Sequence, residues 1–276
     1  MKILPIAFLA AGAAFGSPVS DHLGLQLWSL REDLKTDVPK GLDEAKGFGF
    51  TVVETAGTYG LSVSDFHREL AAHSLQPVAA HFQYAQLEKD LPGVIADAKM
   101  LGVTYVVVPF LPMPEFDSAT AREVAARFNT WGTALQAAGL KFAFHPHGYE
   151  FRTLPEGGTP FDLLVRLTKP DAVWFEMDVF WVLHAGVDPA TLLAKYPDRW
   201  RLMHVKDMRR GAPTGLITRK APVEDNVAIG AGRMDWPELL RVAARIGVEY
   251  YFIEDETAAP LVNIPVSAQY LRTLKY

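Results

Sequence analysis

Four pairs of ionisable residues recur along the chain at a spacing of two: His145 and His147, Glu176 and Asp178, His204 and Lys206, Glu254 and Glu256. In an extended strand, side chains two residues apart point to the same side, so each pair presents its polar atoms together. Each pair closes an apolar run, as in Trp174-Phe175-Glu176-Met177-Asp178. Glu54 and His81 end similar runs, and Glu150 stands just beyond the fifth. Carboxylates from the fifth, sixth and eighth runs, brought together without partners in a low-dielectric site, would repel one another and take up protons. A divalent cation removes that conflict, and oxygen ligands with one imidazole nitrogen suit Mn²⁺, Mg²⁺, Co²⁺ or Zn²⁺. Singly, each residue has a plainer reading: Asp178 as a helix cap, His204 as a hydrogen-bonded core histidine, Glu54 as an ion-pair partner. Their recurrence at successive strand ends argues for a site. The aromatic residues Trp28, Phe82, Tyr149 and Trp181 stay open between plain packing and stacking on a sugar ring.

The elements that must position these residues alternate. Strand candidates are Leu23–Trp28, Thr51–Glu54, Gln76–His81, Tyr105–Pro109, Lys141–His147, Ala172–Asp178, Arg201–Lys206 and Tyr250–Glu256. Between them, helical periodicity covers Val38–Lys46, Ser64–His73, Leu91–Leu101, Ala119–Ala138, Pro160–Leu167, Pro189–Lys195 and Trp236–Arg245. Ser64, Ser118 and Asp188 are the expected caps, Pro189 fits a first turn, and Gly102 and Gly139 fit left-handed helix ends. Such alternation predicts an α/β fold with a parallel sheet covered by helices. Its unit count and length favour a single-domain, closed (β/α)₈ barrel over residues 22–276. No Gly-x-Gly-x-x-Gly follows the first strand, which argues against a dinucleotide-binding sheet. In such a barrel the carboxyl ends of the strands carry the chemistry. The long irregular stretch Met208–Arg233 is expected to be functional.

Composition narrows the classes further. A chain of 276 residues with 49% hydrophobic residues and a net charge of −5 buries a core and is not disordered. Mild acidity excludes a broad nucleic-acid surface. The absence of cysteine excludes disulfides, thiolate metal sites and thiol nucleophiles. Lys2 precedes an uncharged, apolar and then small-residue stretch through Gly16, which reads as a cleavable signal peptide over residues 1–16 and predicts a periplasmic or secreted protein.

The segments Gly24-Leu-Gln-Leu-Trp-Ser-Leu-Arg31, Val52-Val-Glu54, His145-Pro-His-Gly-Tyr-Glu150-Phe, Met177-Asp178, His204-Val-Lys-Asp207, Ile229-Gly-Ala-Gly-Arg-Met-Asp-Trp236 and Phe252-Ile-Glu254 occur in this order. In this order the chain resembles the sugar phosphate isomerase/epimerase family of the xylose isomerase-like TIM barrel superfamily. The resemblance implies one divalent metal, Mn²⁺ first among the four ions above, held by Glu150, Asp178, His204 and Glu254. His147 is the alternative in the fifth strand and Glu256 in the eighth. It further implies Glu150 and Glu254 as bases, His184 as a substrate-contacting histidine after the sixth strand, and Lys206 as a further polar group. Gln26, Glu54, His81, His145, His147 and Trp181 are the implied substrate contacts, and Gly230-Ala-Gly232 either lets backbone approach the ligand or is an ordinary turn.

The expected activity is metal-dependent isomerisation or epimerisation of a sugar. It proceeds by removal of a proton next to a carbonyl, with the cation stabilising the enediolate charge. A 3-keto-glycoside lyase or inosose-type dehydratase would use the same site. A non-catalytic carbohydrate-binding barrel is the third reading. Export and the lack of an evident phosphate cradle point to a non-phosphorylated small-molecule sugar as partner. Nucleic acid is not expected, nor is a membrane once the signal is removed, and a homodimer is compatible with the sequence.

Overall fold

The strand candidates pair in parallel, each with its neighbour in the chain. The computed structural model describes residues 19–113, 116–218 and 220–276. In chain order its main elements are β1 (Leu23–Gln26), α1 (Arg31–Thr36), α2 (Val38–Gly47), β2 (Val52–Thr55), α3 (Val63–Ala72), β3 (Gln76–His81), α4 (Tyr84–Leu101), β4 (Tyr105–Val108), α5 (Ser118–Ala137), β5 (Lys141–Phe144), α6 (Pro160–Leu167), β6 (Val173–Asp178), α7 (Val179–His184) and α8 (Pro189–Lys195). The chain continues through β7 (Trp200–Val205), β8 (Asp207–Met208), β9 (Asn226–Val227), α9 (Trp236–Ile246), β10 (Tyr250–Ile253) and α10 (Pro260–Thr273). Among the described residues, eight strands close a barrel in the order β1-β10-β7-β6-β5-β4-β3-β2. The expected signal segment, residues 1–16, lies outside the described residues. No helix among them is long and apolar enough to cross a membrane.

The barrel forms because its strands are apolar on both faces, one toward the helices and one toward the axis. Inside, Ala79, Tyr105, Val107, Ala143, Leu202 and Phe252 pack together. Outside, Phe128, Phe142, Phe144, Phe161, Phe175 and Trp200 join the larger layer beneath the helices. Leu202, His204 and Lys206 therefore alternate with Met203 and Val205 along one strand: apolar at the barrel centre, polar at its mouth. Register places Gln26 beside Glu54 and Asp178 beside His204. The ladder slips at Val53/Glu54 and at Phe175/Glu176, so both carboxylates sit at bulges, which re-aim side chains.

Helix ends correct two expected caps. Ser62, not Ser64, accepts the amide of Asp65 to start α3, and Asp117, not Ser118, caps α5 through Thr120 N. Asp188 caps α8 as expected, Gly102 adopts the left-handed conformation after α4, and Gly139 has a positive φ beyond α5. The expected start of a helix at Leu91 marks only the second half of α4. Asp90 breaks it with φ −152° and ψ 72°, and the half before it starts from a capping box of Gln83 and Gln86.

The irregular stretch after β7 is more ordered than expected. β8 and β9 pair antiparallel, and one carboxylate, buried Asp207, ties the two ends of the loop together. Its Oδ1 accepts N–H groups from Met208 (2.8 Å) and Met234 (3.2 Å), and its Oδ2 accepts from Gly230 (2.9 Å), Gly232 (3.1 Å) and the Trp236 indole (2.9 Å). A Cβ on Gly232 would lie 2.1 Å from Asp207 Oδ1, so the glycine is there to let backbone reach this carboxylate. The Gly230-Ala-Gly232 turn thus approaches a side chain of its own chain. Asp207→Ala would leave several buried donors unpaired and is expected to cost about 2–4 kcal/mol. Urea unfolding would read that loss, and hydrogen exchange should show it first at the amides of residues 230–236.

Candidate active site and metal centre

The polar ends of the strands meet at the barrel mouth in one continuous network. Gln26 Nε2 donates to Glu54 Oε2 at 2.6 Å, and the same oxygen accepts from His204 Nε2 at 2.6 Å. His204 Nδ1 reaches Glu254 Oε2 at 3.2 Å. His145 Nδ1 bonds Glu176 Oε2 at 3.0 Å, and His81 Nε2 lies 3.4 Å from that oxygen and 3.3 Å from Glu54 Oε2. Lys206 Nζ contacts Glu256 and lies 3.4 Å from Glu254. Gln26, Glu54, Glu176, Asp178 and His204 are fully buried.

Burial alone would neutralise these groups, and their mutual charges hold most of them ionised. Burial works against a charged His204, but Glu176, Glu54 and Glu254 outweigh it and lift its pKa well above the usual histidine range. His81 is treated the same way by Glu54 and Glu176 and is raised to about 9. Against the same burial, His204 and His145 draw Glu176 well below the usual carboxylate range, and Lys206 and His204 do so for Glu254. Lys206 is raised, because Glu254, Glu256 and Asp178 more than offset its desolvation. Two groups go the other way: burial raises Asp178, and burial together with His145 lowers His147, leaving a neutral imidazole.

Asp178 carries both readings open to it in the sequence. Its Oδ1 caps α7 by accepting the Trp181 N–H at 3.0 Å. Its Oδ2 is buried without a hydrogen-bond partner, 3.7 Å from His145 Nε2 and 4.0 Å from His204 Nδ1. Two overlapping sets offer ligand atoms that all lie within 4.8 Å of one another: His81, His145, Glu176 and His204, and Asp178, His204 and Glu254. An orphaned carboxylate oxygen amid imidazoles and carboxylates is a donor set that fits a divalent cation of the hard-to-borderline class.

The expected residues divide accordingly. The structure brings Asp178, His204 and Glu254 together, with Gln26, Glu54, His81 and His145 around them. Glu150 stands outside both sets: it lies in a 3₁₀ turn after β5, and its Oε2 accepts the His147 N–H at 3.1 Å. His184, at the end of α7, is buried against Phe180 and Trp181, and it is not among the residues that line the mouth cavity. Glu176, to which the sequence assigns no role, joins the network through His145, and the Trp174-Glu176-Asp178 alternation is the signal that places it on the inward face of β6.

Above the network opens a cavity of about 320 Å³, lined by His81, His145, His147, His204, Glu254 and Glu256 below and by Trp28, Phe110 and Trp181 at its sides. Tyr149 and Phe82 are packing residues. The Tyr149 hydroxyl bonds the Leu111 backbone, and Phe82 belongs to the core. A larger groove of about 540 Å³ lies between α8 and α9, lined by Asp188, Thr191 and Glu238 among others, and shares no residue with this network.

Comparison with known proteins places this geometry. A family described as xylose isomerase-like TIM barrels matches residues 42–274. A sugar phosphate isomerase/epimerase from Parabacteroides distasonis superposes with a TM-score of 0.76 at 25% identity, covering 98% of each chain. An IolI protein whose structure contains a zinc atom shares the fold, with a TM-score of 0.68 at 17% identity over 91% of this chain and 95% of that one. Among curated proteins, the inosose dehydratase of Clostridium botulinum is 22% identical over 246 residues, 79% of this chain and 81% of its own length. Inosose dehydratases from Geobacillus kaustophilus, Clostridium tetani and Salmonella match over only 23% to 62% of their own length.

Proposed function

Because the chain belongs to the xylose isomerase-like TIM barrel family, we propose that its barrel mouth binds one divalent cation and removes a proton from the carbon beside the carbonyl of a polyhydroxylated ketone. The observation that carries this reading is Asp178 Oδ2, buried and without a hydrogen-bond partner among His145, His204 and Glu254. In this reading Asp178, His204 and Glu254 hold the cation, with His145 as the ligand from β5. Glu150 is left out of the set because it belongs to neither cluster of ligand atoms lying within 4.8 Å of one another. When bound, the cation supplies Lewis-acid stabilisation of charge developing on the carbonyl oxygen, and Mn²⁺ is our first choice among the ions this donor set suits.

The protein's own residues do the rest. Glu254 lines the cavity and in this reading is the proton acceptor as well as a ligand; Lys206 and His204 hold it ionised. His147, a neutral imidazole, lines the cavity from just beyond β5, three strands away from Glu254 around the barrel, and is the group assigned to bond a substrate hydroxyl. Trp28 and Trp181 offer flat apolar walls for the C–H faces of a ring. Lys206 lies beneath the lining, where it keeps Glu254 charged and pairs with Glu256. The described residues that line the cavity include no Arg or Lys, which favours a substrate without phosphate.

Return of the proton to the other face would give an epimer or isomer. Loss of an oxygen substituent from the next carbon would give elimination, and the inosose dehydratases among the relatives make that product the first to look for. In D₂O with Mn²⁺ present, the protein is expected to carry deuterium into a keto sugar or keto cyclitol at the carbon beside the carbonyl. Stripping the metal with a chelator should stop the exchange. Exchange that persists after complete metal removal would exclude the reading. The amino-terminal signal peptide, and with it a periplasmic or secreted location, remains part of the proposal; mass measurement of the mature chain tests it.

A further inference from the structure

His145 and His204 each have carboxylates on both sides of the ring. His204 turns Nδ1 to Asp178 Oδ2 (4.0 Å) and Glu254 Oε2 (3.2 Å), and Nε2 to Glu54 Oε2 (2.6 Å). His145 turns Nε2 to Asp178 Oδ2 (3.7 Å) and Nδ1 to Glu176 Oε2 (3.0 Å). Opposite nitrogens of the two rings therefore face Asp178.

Spacing tells the two sides apart. Two ligands of one tetrahedral ion, with bonds of about 2.0 Å, stand about 3.3 Å from each other. The rings stand farther than that from Asp178 Oδ2, which has no hydrogen-bond partner, so an ion has room there. They stand closer than that to Glu54 and Glu176, where the ring N–H donates directly to the carboxylate. Glu54 and Glu176 are fully buried, and neither lines the mouth cavity. The backbone is irregular at these same two residues, since the ladder slips at Val53/Glu54 and at Phe175/Glu176. Glu54 is itself anchored. Gln26 Nε2 donates to its Oε2 at 2.6 Å, while Gln26 Oε1 accepts the Trp28 N–H at 3.0 Å. His81 Nε2 spans the pair, 3.3 Å from Glu54 Oε2 and 3.4 Å from Glu176 Oε2.

We propose that Glu54 and Glu176 are positioning residues of the metal centre: Glu54 holds the Nε2–H of His204 so that Nδ1 is its ligand atom, and Glu176 holds the Nδ1–H of His145 so that Nε2 is its ligand atom. This rests on the reading of His145, Asp178, His204 and Glu254 as the ligands. An imidazole that ligates through one nitrogen keeps its proton on the other. A carboxylate that accepts this proton fixes the ring and makes the ligating nitrogen a stronger donor. Gln26 and Glu54 then act from behind His204 and do not touch the substrate.

Long-range ¹H–¹⁵N spectra of histidine-labelled protein loaded with Zn²⁺ distinguish protonated from metal-bound ring nitrogens. His204 is expected to show the metal on Nδ1 and the proton on Nε2, and His145 the reverse. Glu54→Gln and Glu176→Gln keep the shape and remove the charge. Each should lower Zn²⁺ affinity about 10- to 100-fold in competition with a chromophoric chelator. Glu54→Gln should move the ring signals of His204 and not those of His145, and Glu176→Gln the opposite. Zn²⁺ on Nε2 of His204 or on Nδ1 of His145 overturns the proposal and leaves the metal centre standing. So does unchanged affinity in both variants. A second Zn²⁺ per chain that Glu176→Gln abolishes has the same consequence, because the carboxylate would then be a ligand. A protein that takes up no Zn²⁺ sinks the metal centre and the proposal together.

Discussion

Asp178→Asn is expected to strip the protein of its divalent metal while leaving the barrel as stable as before. The two oxygens of Asp178 have separate duties: Oδ1 caps α7 and Oδ2 is turned, unpaired, toward His145 and His204. Asparagine retains a capping oxygen at the start of the helix. What it loses is the negative charge, which burial already penalises in the folded state, as the raised pKa of Asp178 records. Loss of a charged ligand should lower metal affinity by more than the about 10–100-fold that removing an outer-shell partner costs. Alanine at the same position also removes the cap and should cost about 1 kcal/mol more in stability. Elemental analysis beside a urea denaturation curve separates the two variants. Normal metal content in Asp178→Asn would refute the ligand set.

Lys206→Met should have the larger effect on stability. Its ammonium is 2% exposed and faces Glu254, Glu256 and Asp178, whose charges together hold it protonated against the cost of burial. Methionine fills the same volume without the charge, so the carboxylates lose their counter-ion in a place with little water. Removing one partner of a buried pair in this way costs about 3–5 kcal/mol. Adding Glu256→Gln should restore a large part of that loss, because the two substitutions act on one interaction and are not additive. Denaturant midpoints of the two single variants and the double variant close the cycle. Simple additivity would mean that the contact between Lys206 and Glu256 carries little energy.

Much of this architecture can be read from residue order because a barrel strand obeys two simple rules at once. Apolar on both faces, it shows as a short Val- and aromatic-rich run, and period-two alternation then says which polar residue at its end looks inward. Leu202-His204-Lys206 obeys both rules, as does Phe252-Glu254. The rules fail where the strand does. Glu54 and Glu176 lie at slips in the ladder, so alternation alone does not say which oxygen meets which imidazole, and Glu176 was passed over beside Asp178. Glu150 matches the expected order of acids, and the chain has already turned into a 3₁₀ segment at that point, where Oε2 accepts the His147 N–H. Two helices are hidden for a different reason. α7 is a six-residue apolar turn that begins after the capping Asp178, and the 14-residue α10 has a proline inside it. Neither carries enough periodicity to announce itself.

Asp207 has an implication for how new specificities could be made in this scaffold. The carboxylate clasps both ends of the excursion between β7 and α9, and inside it Ala212 packs in one cluster with Phe180 and Trp181 while the Leu216 N–H donates to His184 O. The exposed parts of such a segment behave as a cassette. The exposed residues between these anchors and Asp225 could be exchanged for sequences of other length or composition with little strain passed to His204 or Glu254, since the closure cost of a surface loop grows slowly with its length. Diversifying that stretch while keeping Asp207, Gly230, Gly232 and Trp236 is therefore the economical route to barrels that keep one chemistry and accept different molecules.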